Sequence, residues 1–360
     1  MRGTSHLSAE VIVVGAGLIG LTAAVALAER GVSVTLIGEH RSGEASPAAA
    51  GMLAPSVERA TGPAHDFAVA ARDRFPSYVE FLADRTGVTV PLNRLGILQV
   101  ALSAKGIKGL QRTALATSVW LNWKQLHDLE PALSHALGAM LNPDDGAVDN
   151  VVLLDALQRL VSTSDRIDVV QDSVTTIDAG ADSCTVATRT RASHRAQHLV
   201  LAAGAWVGRV SGSRAAGAVT PARGQLVSYS SSPLRHVAYG PRGYVVPRGD
   251  YTIGGTTMEN VGFDANTTME GIEKVRAASE EICPRLADAE ATRAWAGLRP
   301  VTPDMLPMLG IDSGQPSLIY ACGHSRNGVL MAPLTGDKIA DLVTGTPLSH
   351  DLSQFRPDRF

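Results

Sequence analysis

The chain has 360 residues, of which 45% are hydrophobic and 19% charged, so it suits two domains and has the composition of an ordinary soluble globular protein. Its net charge of −3 and pI near 6.4 give no electrostatic basis for binding nucleic acid or an anionic membrane. Cys184, Cys283 and Cys322 lie far apart without CxxC spacing, which indicates free thiols in a reducing cytoplasm and neither a disulfide framework nor a metal site.

The first predicted unit, residues 10–39, reads as a strand, a glycine-rich turn, a helix and a second strand. Gly15, Gly17 and Gly20 follow the apolar run 11–14 at GxGxxG spacing, and 32–37 has the pattern of a β-strand. In a dinucleotide-binding βαβ unit, the first glycine permits the tight turn and the second admits a pyrophosphate. The third lets helix and strand pack closely. The spacing therefore predicts a dinucleotide-binding unit, with the helix N-terminus facing the phosphates.

Two features of this unit leave more than one interpretation open. The uncharged run 11–28 is also compatible with a transmembrane span or a signal-peptide core, but Glu10 precedes it and a β-branched strand follows at once, which favours the dinucleotide unit. The acidic residue that binds a ribose hydroxyl usually closes the second strand, where this chain has Gly38. Either the strand end bulges and Glu39 reaches the ribose, or that contact is absent.

The remaining pattern alternates helices and strands. Helices are predicted at 66–87, 123–130, 151–162, 268–282 and 329–343. Strands are predicted at 96–102, 198–202 and 317–321, a hairpin at 169–177 and 183–189, and an antiparallel sheet within 221–257. This order predicts a nucleotide-binding domain formed by 8–85, 145–216 and 300–360. A substrate domain formed by 86–144 and 217–299 is inserted into it, with the active site between the two.

Several motifs carry a resemblance along nearly the whole chain. They are GxGxxG, SPAAAGMLAP, LAAGAW, GYVVPR, GGTTME, WAGLRPVTPD and GHSRNGVLMAPLTGDKIADL. In this order they resemble the FAD-dependent D-amino-acid-oxidase family, and most of all its glycine oxidases of the thiamine-biosynthesis type. The resemblance implies an α/β plus antiparallel-β fold, in which a Rossmann-like FAD-binding domain carries an inserted antiparallel-sheet substrate domain.

The resemblance also implies FAD bound without a covalent link, because Gly297 stands where related sarcosine oxidases carry a flavin-tethering cysteine. The residues implied to bind FAD are Gly15, Ala16, Gly17, Leu18, Ile19, Gly20, Glu39, Ala45, Ser46, Ala50, Gly51, Met52, Val174, Ala203, Gly204, Trp206, His324, Ser325, Arg326, Asn327, Gly328 and Val329. The turn at His324 precedes a helix, whose N-terminus favours negative charge on the flavin.

Substrate binding is implied for Tyr244, Arg299 and Arg326, with Met258 lining the pocket. An amino-acid carboxylate needs a planar bidentate donor, which arginine supplies, and Arg299 lies in an apolar stretch where a solvated charge is out of place. The structural alternatives are an ion pair between Arg299 and a buried acid, sheet packing for Tyr244 and core packing for Met258. Ser325 stands where glycine oxidases commonly carry a larger residue, which predicts a wider pocket.

The predicted function is oxidation of glycine, and of sarcosine or small D-amino acids, to the imine and glyoxylate, with dioxygen reduced to hydrogen peroxide. The imine is expected to serve thiamine thiazole synthesis. One alternative is an FAD dehydrogenase acting on another secondary amine or imino acid, and a second is a flavin-binding protein without turnover. The expected partners are a small amino acid and dioxygen, with no nucleic acid, membrane or metal. The resemblance implies a homotetramer, and the cysteine pattern indicates a cytoplasmic location.

Overall fold

A computed structural model describes residues 9–58 and 60–360 of the chain. The predicted domain start at residue 8 lies outside the described residues. Nine α-helices are assigned among the described residues. They are α1 (Leu18–Glu29), α2 (Ala45–Ala48), α3 (Pro55–Glu58), α4 (Pro63–Thr86), α5 (Ala104–Arg112), α6 (Trp123–Leu129), α7 (Asn150–Ser162), α8 (Met269–Ile282) and α9 (Gly328–Thr344).

A six-stranded sheet forms the nucleotide-binding half of the fold. Its strands are β1 (Val11–Val14), β2 (Val34–Ile37), β9 (Ile167–Val170), β13 (His198–Leu201), β19 (Met308–Asp312) and β20 (Gln315–Cys322). They lie in the order β19-β20-β13-β1-β2-β9, and all pairs are parallel except β19 with β20. The central strands β1 and β2 are buried along their whole length, as expected for a parallel sheet that is covered on both faces.

An eight-stranded sheet forms the other half. Its strands are β5 (Ile97–Ala101), β6 (Val119–Asn122), β7 (Gly138–Asn142), β14 (Thr220–Tyr229), β15 (Val237–Tyr239), β16 (Tyr244–Arg248), β17 (Tyr251–Gly255) and β18 (Ala291–Val301). The order is β18-β14-β17-β16-β15-β5-β7-β6. The sheet is antiparallel as predicted except at β15 and β5, which come from different inserted segments and pair in parallel. The predicted domain boundary at 299/300 falls within β18.

Two small sheets complete the fold. One contains β3 (Met52–Leu53), β4 (Leu92–Asn93) and β8 (Gly146–Val148), and the other contains β10 (Val174–Ala179), β11 (Cys184–Thr188) and β12 (Ser193–Ala196). Helices α1, α4, α7 and α9 cover one face of the six-stranded sheet, and the β10–β12 sheet covers the other. Within the described ranges, no helix is both long and apolar enough to cross a membrane.

The predicted hairpin strand 169–177 is wrong as a single element. The structure divides it into β9, which joins the six-stranded sheet, and β10, which pairs with β11. Between them the Asp172 carboxylate accepts hydrogen bonds from the backbone of Ser173 and of Thr190, so the side chain stabilises a turn. The sequence analysis also did not predict β6, β7 or β8.

Candidate active site between the two sheets

The glycines of the βαβ unit allow backbone approaches that no other residue permits. Gly15 has φ +110°, and a Cβ atom there would lie 2.4 Å from the carbonyl oxygen of Ala202. A Cβ atom on Gly20 would lie 1.7 Å from the carbonyl oxygen of Gly15, so α1 packs directly on the turn. A Cβ atom on Gly17 would lie 3.1 Å from the Ser46 hydroxyl, which is a tight contact with a side chain and not with backbone. The turn is therefore bare backbone at the N-terminus of a helix, where anions bind.

An acidic side chain reaches the cavity one position later than the usual pattern. A Cβ atom on Gly38 would lie 2.8 Å from the backbone nitrogen of Ala16, so position 38 has no room for a side chain. Glu39 lines the cavity instead, and its carboxylate accepts hydrogen bonds from the side chains of Ser173, Arg41 and Arg189. The hydrogen bonds from Ser173 and Arg189 lower the pKa of Glu39.

A cavity of about 380 Å³ lies where β1, β2, β13 and β20 end, between the two large sheets. It is lined by Gly15, Ala16, Gly17, Leu18, Ile19, Glu39, Ala45, Ser46, Ala50, Gly51, Met52, Val174, Ala203, Gly204, Trp206, Tyr244, Arg299, His324, Ser325, Arg326, Asn327, Gly328 and Val329. All of these were predicted from the sequence to bind cofactor or substrate. Two other predicted residues do not line it: Gly20 packs beneath the turn, and Met258 is 51% exposed on a loop.

The turn after β20 brings the N-terminus of α9 to the same cavity. Asn327, Gly328 and Val329 line the cavity at the start of this helix. His324 is buried, and its Nε2 atom lies 3.2 Å from the Thr335 hydroxyl on α9. Burial lowers the pKa of His324 to about 3, so its imidazole is neutral at physiological pH. The helix N-terminus therefore faces the cavity, and His324 adds no positive charge to it.

Arg299 on β18 is a partly buried cation without an acidic partner. Its Nη1 donates to the carbonyl oxygen of Thr257 at 3.1 Å, and its Nη2 donates to the Thr256 hydroxyl at 2.9 Å. No ion pair joins Arg299 to a carboxylate in residues 9–58 or 60–360, so the predicted structural alternative is not found there. Burial lowers its pKa, which shows the cost of holding this charge away from water. Tyr244, only 6% exposed, lies beside it at the cavity.

Arg326, by contrast, already has an acidic partner. Its Nη2 donates to the Glu58 carboxylate at 2.6 Å and to the Tyr239 hydroxyl at 2.8 Å. Burial tends to lower the pKa of Arg326, but Glu58 and Tyr239 raise it overall. Burial raises the pKa of Glu58, against the opposing effect of Arg326. The two arginines predicted to act alike therefore stand in different electrostatic surroundings.

Sequence reasoning missed three residues that shape this part of the cavity. Glu58 closes the short helix α3 and pairs with Arg326 across the site, and Thr256 accepts a hydrogen bond from Arg299. Gly224 leaves room for the guanidinium, since a Cβ atom there would lie 2.0 Å from Arg299 Nη1. The GGTT motif was a signal for Thr256. The other two contacts depend on sheet register and loop packing, which no local pattern encodes.

The comparison with known proteins identifies the class. The family described as "FAD dependent oxidoreductase" matches residues 10–342, and the chain belongs to this family. The bifunctional protein ThiO/ThiG of Synechocystis sp. is 33% identical over 98% of this chain and 54% of its own length. The glycine oxidase of Geobacillus kaustophilus is 31% identical over 96% of both chains. The crystal structure of glycine oxidase from Geobacillus kaustophilus superposes with a TM-score of 0.91, covering 98% of this chain and 99% of that one.

The chain spans about half the length of the ThiO/ThiG relatives it matches, and nearly the whole length of the glycine oxidases. The α/β fold with an antiparallel second sheet, predicted from the motifs, is confirmed by the family match and by this structural similarity. The resemblance to the glycine-oxidase branch is likewise confirmed.

The residues present fit FAD. A dinucleotide needs a phosphate-binding turn without side chains, and Gly15 and Gly17 provide it at the start of α1. The reduced flavin carries negative charge, which the N-terminus of α9 favours. A Cβ atom on Gly297 would lie 2.5 Å from the Cβ of Ala48, so a tethering cysteine does not fit at that position.

Proposed function

We propose that the protein oxidises glycine, and also sarcosine and small D-amino acids, to the imine and then glyoxylate, with dioxygen reduced to hydrogen peroxide. When bound, FAD supplies the two-electron oxidation of the amine and passes the electrons to dioxygen. The names of the relatives support this proposal, and one structural observation carries it. That observation is the partly buried guanidinium of Arg299, which faces the cavity without a carboxylate of its own.

Arg299 is proposed to bind the substrate carboxylate. A desolvated cation is costly unless it is paired, and Arg299 hydrogen-bonds only to neutral groups among the described residues, while the Glu58 carboxylate acts on it through space without forming an ion pair. A substrate carboxylate would supply the missing negative charge in a charge-assisted contact. Such a contact fixes the position of the substrate α-carbon relative to the cofactor, which is the main contribution the protein makes to this chemistry.

Tyr244 is proposed as a second donor to the same carboxylate. Burial raises the pKa of Tyr244, so its hydroxyl keeps its proton over the physiological range and can donate. Arg326 is proposed to contact the substrate from within its pair with Glu58. Because Glu58 neutralises much of its charge, we expect Arg326 to contribute less to carboxylate binding than Arg299.

FAD is proposed to lie along the cavity, and its proposed contacts are those cavity-lining residues that the resemblance implies for FAD. Glu39 is proposed to take the role of the usual acid at position 38 and to accept hydrogen bonds from the ribose. The support is that Glu39 lines the cavity as an ionised carboxylate, whereas Gly38 has no room for a side chain.

The cellular context is also proposed. We propose that the glycine imine serves thiamine thiazole synthesis, with the resemblance to the thiamine-type glycine oxidases as support. A cytoplasmic homotetramer is proposed on the same resemblance, and the three free, buried cysteines accord with a reducing compartment. The proposed two-domain division is supported by the chain segments that build the two large sheets, except that the predicted boundary at 299/300 falls within β18.

The test is an anaerobic titration of the purified holoprotein with glycine, sarcosine, D-alanine and D-proline. The flavin absorbance near roughly 450 nm reports reduction. Bleaching by glycine that reverses when air is admitted is the expected result. Bleaching only by a bulkier amine, or reoxidation that needs another acceptor, would shift the assignment to a different amine oxidoreductase. A bound flavin that none of the four reduces would contradict the proposal.

A further inference from the structure

The segment 43–51, which lines the cavity, is held by the opposite sheet. The backbone nitrogen of Leu298 on β18 donates to the carbonyl oxygen of Gly43 at 2.8 Å. From the same strand, Trp295 Nε1 donates to the carbonyl oxygen of Ala48 at 3.0 Å. Arg248 on β16 contacts this segment as well. The segment belongs in chain order to the nucleotide-binding half, yet strands of the eight-stranded sheet fix its conformation.

Arg248 joins this segment to the start of α7. It is 9% exposed, and its Nη2 donates to the carbonyl oxygen of Ala50 and to Asn150 Oδ1, both at 2.8 Å. Its Nη1 lies 3.3 Å from the carboxylate of Asp149, the N-cap residue of α7. Only a planar guanidinium can donate in these directions at once. Gly51 makes room for it, since a Cβ atom there would lie 2.6 Å from Arg248 Nη2.

Asn150 continues the connection to the phosphate-binding turn. It is 1% exposed, accepts from Arg248 and donates through Nδ2 to the carbonyl oxygen of Ser46 at 2.8 Å. The hydroxyl of Ser46 in turn accepts from the backbone nitrogen of Leu18, the first residue of α1, at 3.0 Å. One chain of hydrogen bonds therefore runs from the eight-stranded sheet to the helix start that faces the cavity.

We propose that Arg248 and Asn150 are positioning residues for FAD, and the proposal rests on the function proposed above. Neither side chain lines the cavity, so each acts through the backbone of residues 45–51. With the segment held, its small residues lie flat along the cavity and Ser46 stays aligned with α1. Without the hydrogen bonds from Arg248 and Asn150, the segment must be ordered when the cofactor binds, and the entropy cost of that ordering opposes binding. FAD affinity therefore depends on a contact supplied by the substrate half.

The test uses an isosteric change, Asn150→Asp. The carboxylate still accepts from Arg248, but it faces the Ser46 carbonyl oxygen with an oxygen in place of the N–H donor. Apoprotein titrated with FAD, with quenching of flavin fluorescence as the readout, is expected to show a Kd raised at least about tenfold. Asn150→Leu, which removes both amide contacts without adding charge, is expected to raise the Kd in the same direction.

The matched control is Asn142→Asp. Asn142 is 3% exposed in the eight-stranded sheet, and its amide also has two side-chain contacts, with Gln99 and Ser118. It does not line the cavity, and its side-chain hydrogen bonds to Gln99 and Ser118 do not involve residues 45–51. The Kd of the Asn142→Asp variant for FAD is expected to stay within about twofold of the wild-type value. The unfolding midpoints of the Asn142→Asp and Asn150→Asp apoproteins are expected to fall by similar amounts. Equal FAD affinities for the Asn150 variants and this control would overturn the proposal.

Trp295→Phe is a second and milder variant. It keeps an aromatic ring on β18 but removes the N–H that holds the Ala48 carbonyl oxygen, so a rise of roughly two- to tenfold in Kd is expected. No change in Kd would count against the role of the segment.

The inference and the proposed function fail separately. A wild-type protein that binds FAD but oxidises no amine defeats the function alone. A wild type that oxidises glycine, with Asn150→Asp binding FAD equally well, defeats the inference alone.

Discussion

The two parts of the cavity are built in opposite ways. In the nucleotide region, defined by Gly15, Gly17 and Gly20, the geometry comes from bare backbone within six consecutive positions. In the substrate region, defined by Glu58, Tyr244, Thr256, Arg299 and Arg326, charged and polar side chains come from distant segments. The Glu58–Arg326 pair alone joins residues 268 positions apart. The first region depends on local backbone conformation, and the second on how two sheets are aligned.

The strongest way to break the nucleotide region is Gly15→Ala. The new Cβ atom would lie 2.4 Å from the Ala202 carbonyl oxygen at a φ of +110°, so the turn or the end of β13 must move. Displacing a positioned group by about 1 Å costs roughly 100-fold in function, and we expect the Kd for FAD to rise by about that factor. Titration of the apoprotein with FAD measures it.

Gly31→Ala separates strain from contact. Gly31 also has a positive φ, +84°, but a Cβ atom there would meet nothing within 4 Å. This variant should lose about 1 kcal/mol of stability and keep the FAD affinity of the wild type. If both glycine variants lose FAD equally, the backbone approach at Gly15 is not what forms the nucleotide region.

The strongest way to break the substrate region is Arg299→Ala. Losing a charge-assisted contact costs about 1.5–3 kcal/mol, so kcat/KM for glycine should fall at least about tenfold. The flavin absorbance of the purified protein should persist, because Arg299 is proposed to contact the substrate carboxylate and not to hold the cofactor. Steady-state kinetics and the visible spectrum check both statements.

Arg242→Ala is the control for a general loss of positive charge. Arg242 is exposed and pairs with Glu281 on the surface of the same half of the protein, so kcat/KM should remain within about twofold. An Arg299→Ala enzyme with unchanged KM and kcat would remove Arg299 from the site.

The geometry of the glycine turn was predictable from the sequence because its signals are local. The GxGxxG spacing specifies a turn whose conformation depends on residues within a few positions, and the structure shows the close approaches that require these glycines. Position 38 was the exception. The sequence left Gly38 and Glu39 as alternatives, and the deciding contact is with Ala16, which lies 22 residues earlier and meets the strand end only in the folded sheet.

The substrate region was harder to predict because, as at position 38, its contacts join residues that are distant in the sequence. Motif resemblance named Tyr244, Arg299 and Arg326, but gave no sign that Glu58 pairs directly with Arg326 and acts on Arg299 only through space. The room that Gly224 leaves for Arg299 depends on the alignment of β14 with β18. Met258 lies two residues after the cavity residue Thr256, yet it is exposed, because the chain leaves the sheet after Gly255.

Tyr244→Phe tests the second proposed carboxylate donor of the substrate region, and its expected effect is smaller. Removing one neutral hydrogen-bond donor costs about 0.5–1.5 kcal/mol, so KM for glycine should rise roughly two- to tenfold. Because burial raises the pKa of Tyr244, wild type and variant should show the same pH dependence between about pH 6 and pH 9. Tyr251→Phe, on the neighbouring strand and 38% exposed, should leave KM unchanged. A pH dependence lost only in Tyr244→Phe would mean that this hydroxyl ionises during turnover.

The smallest expected effect concerns Glu58 and the pH dependence of stability. Burial raises its pKa above the ordinary value of 4.5, so the folded protein binds this proton more tightly than the unfolded chain. Its contribution to stability is complete below that value and is lost as pH rises through the folded-state pKa. Glu58→Gln cannot titrate, so its free energy of unfolding, from urea denaturation between about pH 4 and pH 7, should rise relative to wild type. The exposed Glu273→Gln should show no such trend. The opposite trend for Glu58→Gln would mean that its pairing with Arg326 outweighs burial.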